Sequence, residues 1–119
     1  MPRALIIDDS DAFRASARSL LEAEGFAVSE AATGSAGIQT ARDERPELVL
    51  LDIQLPDLDG FEVGERLARL ERPPAVVLTS SRDGADYGSL IAGSASRGFI
   101  AKSELSGAAI RALLAEPSH

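Results

Sequence analysis

The sequence has no cysteine. That excludes a disulfide framework, a thiolate metal site and a cysteine nucleophile together. The one histidine is the last residue, His119; it reads as an untethered tail, which all but removes histidine catalysis. Long apolar runs are missing as well. Nothing approaches the ~20 residues of a membrane span, and Ala4–Ile7 is too short for a signal peptide and runs into two aspartates. The default expectation is a soluble, cytoplasmic protein without a membrane partner. Basic residues are in the minority, 12 Lys and Arg against 19 Asp and Glu, for a formal net charge of -7. This disfavours direct nucleic-acid binding through phosphate contacts and favours basic partners or cations. Internal repeats, low-complexity tracts and interdomain linkers are also lacking. A chain of 119 residues fits one domain, 1–119, and is large enough to bury roughly two-thirds of its unfolded surface without staples.

What is present is organised around Leu48-Val-Leu-Leu-Asp52. Four apolar residues run into an aspartate between Arg45-Pro46-Glu47 and Pro56-Asp57, the pattern of a strand buried on both faces. Ala4–Ile7, Ala75–Leu78 and Gly98–Ala101 read the same way, and Ala27–Ala31 as a shorter, peripheral strand. Between them lie helical patterns. Phe13, Ala17, Leu20 and Leu21 recur at helical spacing after a capping Ser10, with Gly25 as the stop. Gly34–Asp43 is a modest helix weakened by Gly37. Phe61, Val63, Leu67 and Leu70 mark a third, ended by Pro73-Pro74. Residues 82–96, with three glycines, suggest a short, loosely held helix. Ser106–Glu116 closes the chain, with Ala109, Ile110, Leu113 and Leu114 inward. Strand–helix repeated in this way predicts an α/β fold: a doubly wound parallel sheet with helices on both faces.

In open parallel sheets, ligands bind at the carboxyl ends of the strands. There the first strand carries Asp8 and Asp9, the third Asp52, the fourth Thr79 and the fifth Lys102. Singly, each has a duller reading: a helix cap, a turn, a satisfied hydroxyl, a solvated charge. Together they form a constellation. Clustered carboxylates repel unless a cation sits among them, and hard oxygen ligands suit Mg²⁺. A Lys and a hydroxyl beside a carboxylate and Mg²⁺ make a clamp for a phosphoryl group. Asp52 can then act as a nucleophile and become an aspartyl phosphate.

The motifs "IIDDS" at 6–10, "LVLLDIQLPDLDGFE" at 48–62, "AVVLTSS" at 75–81 and "GFIAKS" at 98–103 together resemble the receiver domain of bacterial two-component response regulators, the flavodoxin/CheY-like fold, over nearly the whole chain. The resemblance implies a five-stranded sheet of order 2-1-3-4-5. It implies a regulatory phosphoacceptor, not an enzyme acting on an outside substrate, that takes phosphate on Asp52 from a sensor histidine kinase or a histidine phosphotransfer protein. Asp9 and Asp52 would bind Mg²⁺ directly with the backbone carbonyl of Gln54, and Asp8 largely through water. Thr79 would bond the phosphate and Lys102 pair with it. Thr79 and Phe99 would reorient together, changing the surface of the predicted helix at 82–96, the fifth strand and the closing helix, where an output domain or downstream protein binds. Family members often pair through that face, so a homodimer is open. So is the choice between a protein acting alone and a receiver belonging to a longer chain. The family usually has a cis proline after the Lys; here Ser103 follows, and because a cis non-proline bond costs about 3–4 kcal/mol, a trans Lys102–Ser103 bond is expected. The alternative is a receiver-like interaction module that signals without phosphate. An aspartyl-phosphate phosphatase is disfavoured: its general acid commonly sits two residues past the nucleophile, and Gln54 has no carboxyl proton to give.

Overall fold

The computed structural model describes residues 1–81, 88, 91 and 93–115. Five parallel strands form one sheet in the order β2-β1-β3-β4-β5: β1 (Arg3–Ile7), β2 (Ala27–Ala31), β3 (Leu48–Asp52), β4 (Ala75–Ser80) and β5 (Gly98–Ala101). The helices are α1 (Asp11–Ala23), α2 (Gly34–Glu44), α3 (Gly60–Ala68) and α4 (Gly107–Ala115), the last being the expected closing helix. The expected α/β architecture and strand order are those observed. The helix expected over 82–96 falls largely outside the described residues.

Every residue of β3 is buried, as its apolar run demands at the centre of a parallel sheet. Alternation along the strands splits the core in two. Leu5, Ile7, Val49, Leu51, Val76 and Leu78 face one side with residues of α2 and α3. Ala4, Ile6, Leu48, Leu50, Val77 and Ile100 face the other with residues of α1 and α4.

Caps set the helix starts. Ser10 Oγ accepts from Phe13 N at 3.2 Å and Thr33 Oγ1 from Ala36 N at 3.1 Å. Ser106 Oγ accepts from Ala109 N at 3.0 Å, so Ser106 caps α4 from just outside it. The α3 helix stops at Ala68, short of the expected Leu70 and well before Pro73. Arg69 N bonds Arg66 O and Leu70 N bonds Leu67 O, tightening the last turn so that Leu70 packs on the core from outside the helix.

Candidate functional site at the carboxyl edge of the sheet

Alternation also assembles the site. Continue the face that carries Ala4 and Ile6, Leu48 and Leu50, Val77, and Ile100 by two residues each. It arrives at Asp8, Asp52, Thr79 and Lys102, all at the carboxyl edge on the α1/α4 side. Register reinforces this: Asp52 pairs with Thr79, and Thr79 with Ile100.

Asp8 is fully buried and Asp9 exposed. One carboxylate oxygen from each of Asp8, Asp9 and Asp52 lies within 4.8 Å of the others, an arrangement able to hold a metal ion. Ser10 N donates to Asp8 Oδ1 at 2.8 Å, and Gln54 N to Asp52 Oδ1 at 3.1 Å. The Lys102 ammonium enters from β5, 2.6 Å from Asp8 Oδ2 and 3.4 Å from Asp52 Oδ2. It is the cation that this acidic cluster requires from within the chain. Burial pushes the Asp52 carboxyl above its ordinary range, helped by the charge of Asp8; the Gln54 N–H and Lys102 only partly offset this. Burial works against the Lys102 charge, yet Asp8 and Asp52 together raise its pKa.

Thr79 is fully buried, and among the described residues its Oγ1 has no hydrogen-bond partner. An orphaned buried hydroxyl costs about 1–3 kcal/mol; it is suited to an acceptor arriving beside Asp52. The Lys102–Ser103 peptide is trans, as expected without proline, and Lys102 opens a single 3-10 turn through Glu104. Gln54 is exposed and bridges to Asp59 across the loop after β3. Phe99 is half-buried on the opposite face, in register with Leu78 and packed on the α2/α3 core.

Three contributors escaped the sequence reading. The Phe13 ring lies against the Lys102 ammonium, 4.6 Å from Nζ to centroid. Arg14 Nη1 donates to the Asp8 carbonyl at 2.6 Å. Asp57 accepts from Gly34 N at 2.8 Å and Ser35 N at 3.0 Å, and these N–H groups hold its pKa down to about 2. The only advance signal was position: Phe13 and Arg14 lie in the first turn after the Asp8-Asp9 pair, and Asp57 in the loop after Asp52.

Residues 4–114 match the response regulator receiver domain. The transcriptional regulatory protein AfsQ1 of Streptomyces coelicolor is 41% identical over 72% of this chain and 38% of its own length. The virulence factors transcription regulator BvgA of Bordetella pertussis is 39% identical over 86% of this chain and 49% of its own. The chain thus spans about half or less of these relatives. Among solved structures, a CheY-like receiver domain from Methanospirillum hungatei superposes with a TM-score of 0.83 at 26% identity, covering 96% of this chain and 90% of that one. The receiver domain of the response regulator NarL from Mycobacterium tuberculosis gives 0.81 at 25% identity, covering 97% and 98%. The chain belongs to the response regulator receiver domain family of two-component signalling, a regulatory family and not one of conventional enzymes.

Proposed function

We propose that this receiver domain, spanning residues 1–119, is a Mg²⁺-dependent switch phosphorylated on Asp52. One observation carries the reading. The oxygens of Asp8, Asp9 and Asp52 lie within 4.8 Å of one another, beside the Lys102 ammonium, and Thr79, in register with Asp52, has a hydroxyl without a partner among the described residues. Burial of Asp8, Asp52 and Thr79 makes such a grouping costly unless it is used.

The donor set fits Mg²⁺: hard carboxylate oxygens at a strand edge, to which the backbone carbonyl of Gln54 would add a further oxygen, as the family resemblance implies. Asp9 and Asp52 would ligate directly and Asp8 through water. When bound, the ion neutralises charge shared between the carboxylates and the incoming phosphoryl oxygens. Asp52 Oδ attacks the phosphorus of a phosphohistidine; an O–P bond forms, the N–P bond breaks, and the imidazole leaves with the bonding pair and is protonated from solvent. Lys102 turns from Asp52 to the new phosphoryl oxygens, and Thr79 Oγ donates its free hydrogen to them. Slow hydrolysis of the acyl phosphate resets the switch.

The phosphoryl source is a sensor histidine kinase or a histidine phosphotransfer protein. Thr79 and Phe99 relay occupancy to the surface around β5 and α4, where an output domain, a downstream protein or a second copy binds. The similar AfsQ1 and BvgA are transcription regulators at least twice as long as the matched region, which supports an output of that kind. The acidic balance of this domain leaves nucleic-acid contact to another part. Among the described residues no helix is long and apolar enough to cross a membrane.

The test is phosphotransfer from a panel of histidine kinases to wild type and Asp52→Asn. Labelling of wild type alone is expected; labelling that survives the substitution means another residue is the acceptor. Adding beryllofluoride with Mg²⁺ should shift the amides of Asp52, Thr79 and Lys102. A silent spectrum would favour the phosphate-independent module.

A further inference from the structure

The ring of Phe13 is within the ~6 Å reach of a cation–π contact, with the Lys102 Nζ 4.6 Å from its centroid. Its place is fixed by the same loop that carries the acids. Phe13 N donates to Ser10 Oγ, and Ser10 N donates to Asp8 Oδ1. Two hydrogen bonds therefore tie the ring to the carboxylate that pairs with the ammonium. Arg14, the next residue, donates to the Asp8 carbonyl at 2.6 Å and to Glu30 on β2 at 3.0 Å. Arg18 donates to the same Glu30 carboxylate at 2.6 Å. The first turn of α1 is thus anchored on both sides of Phe13.

Lys102 needs such a wall. Its side chain has four rotatable carbons and is followed by Ser103 in a short 3-10 turn. Its ammonium pairs with two carboxylates at unequal distances, 2.6 and 3.4 Å. A third acidic partner would add negative charge where an anion has to arrive. An aromatic face attracts the cation through its quadrupole and carries no net charge. It repels a phosphoryl group far less than a carboxylate would, and it has no oxygen to compete for a metal.

We propose that Phe13 is a positioning residue: its face holds the Lys102 ammonium between Asp8 and Asp52, in place to meet a phosphoryl group on Asp52. This rests on the reading of Asp52 as phosphoacceptor.

The test uses Phe13→Leu, Phe13→Tyr and the full chain with pentafluorophenylalanine at position 13, which keeps the ring's shape and reverses its quadrupole. In metal-free protein, the Lys102 ε-methylene protons should be shifted upfield in wild type and Phe13→Tyr, and return toward ordinary lysine values in Phe13→Leu. With acetyl phosphate and Mg²⁺, labelling of Asp52 should slow by about three- to tenfold in Phe13→Leu and the fluorinated protein, and by little in Phe13→Tyr. Wild-type labelling by the fluorinated protein would mean that the ring only fills space and would overturn the proposal. So would ε-methylene shifts unmoved by Phe13→Leu. If wild type itself is not labelled, the phosphoacceptor reading falls and the positioning role with it; labelled wild type with either contrary result removes the positioning role alone.

Discussion

At Gly60 the start of α3 presses against the end of β3, beside Asp52, the proposed phosphoacceptor. A Cβ there would lie 2.4 Å from the Asp52 carbonyl oxygen, 2.6 Å from Ile53 Cα and 2.9 Å from the Ile53 carbonyl oxygen. All are backbone atoms of a buried strand end, which cannot rotate away as a side chain can. Gly60 N also donates to Ile53 O at 2.8 Å, so moving the helix strains that bond. Gly64, one turn on, is a natural control: its added Cβ would meet only Leu51 Cδ2, at an ordinary 3.7 Å. Overpacking costs about 1–3 kcal/mol and a weakened hydrogen bond about 1 kcal/mol, so Gly60→Ala should destabilise by roughly 2–4 kcal/mol. Gly64→Ala should gain about 0.5–1 kcal/mol from helix propensity. At roughly 4 °C per kcal/mol for a domain of this size, thermal unfolding followed by circular dichroism should show Gly60→Ala melting ~8–16 °C below wild type and Gly64→Ala ~2–4 °C above it. The same chemical change would then have opposite signs within one helix. If both variants move together, or Gly60→Ala melts at the wild-type temperature, close approach is not what requires glycine there.

Asp57 has its pKa lowered from 3.8 to about 2 by the N–H groups of Ser35 and Gly34, so its stabilisation is complete above the unfolded value and is lost as pH falls through the folded one. The gap in urea midpoint between wild type and Asp57→Asn should be widest above pH ~4 and close toward pH ~2; a gap constant with pH would refute the capping role. Asp52 shows the reverse sign: burial raises its pKa, so its ionised form costs stability at neutral pH and its protonated form does not. Asp52→Asn should therefore melt above wild type in metal-free buffer at pH 7, and a lower melting temperature would contradict this. Lys102→Met should raise Mg²⁺ affinity by about fivefold or more, because a cation 2.6 and 3.4 Å from two carboxylate oxygens competes by at least ~1 kcal/mol. Mg²⁺ titration followed by amide shifts reads this directly, and weaker binding would show that the ammonium does not compete.

The strands were legible because burial on two faces leaves apolar runs that end abruptly at polar residues. The site was legible for the same reason: Asp8, Asp52, Thr79 and Lys102 are where those runs stop. What the sequence hid is contact across distance. Phe13 fits the helical period of the α1 apolar face and does pack on that core, and periodicity cannot tell that the same ring also faces an ammonium. Asp57 reads as a turn residue, since its partners, Gly34 and Ser35, lie 23 and 22 positions away. The early end of α3 was hidden too. The apolar spacing continues to Leu70, while the backbone has already switched to tighter bonds after Ala68.

Alternation has a further consequence for signalling. Asp8 and Asp9 are adjacent and identical, yet one is buried and the other exposed, because neighbours leave a strand on opposite sides. The same rule separates Thr79 from Phe99. Thr79 follows Val77 on the α1/α4 face, whereas Phe99, in register with Leu78, packs against the core on the α2/α3 face. If the two act as one switch, no direct side-chain contact through the sheet can link them. Coupling has to pass along the β4–β5 ladder, where Thr79 is in register with Ile100 and Leu78 with Phe99. A shift of β4 toward a phosphoryl group on Asp52 would then carry Leu78 with it and open or close the space in which the Phe99 ring turns.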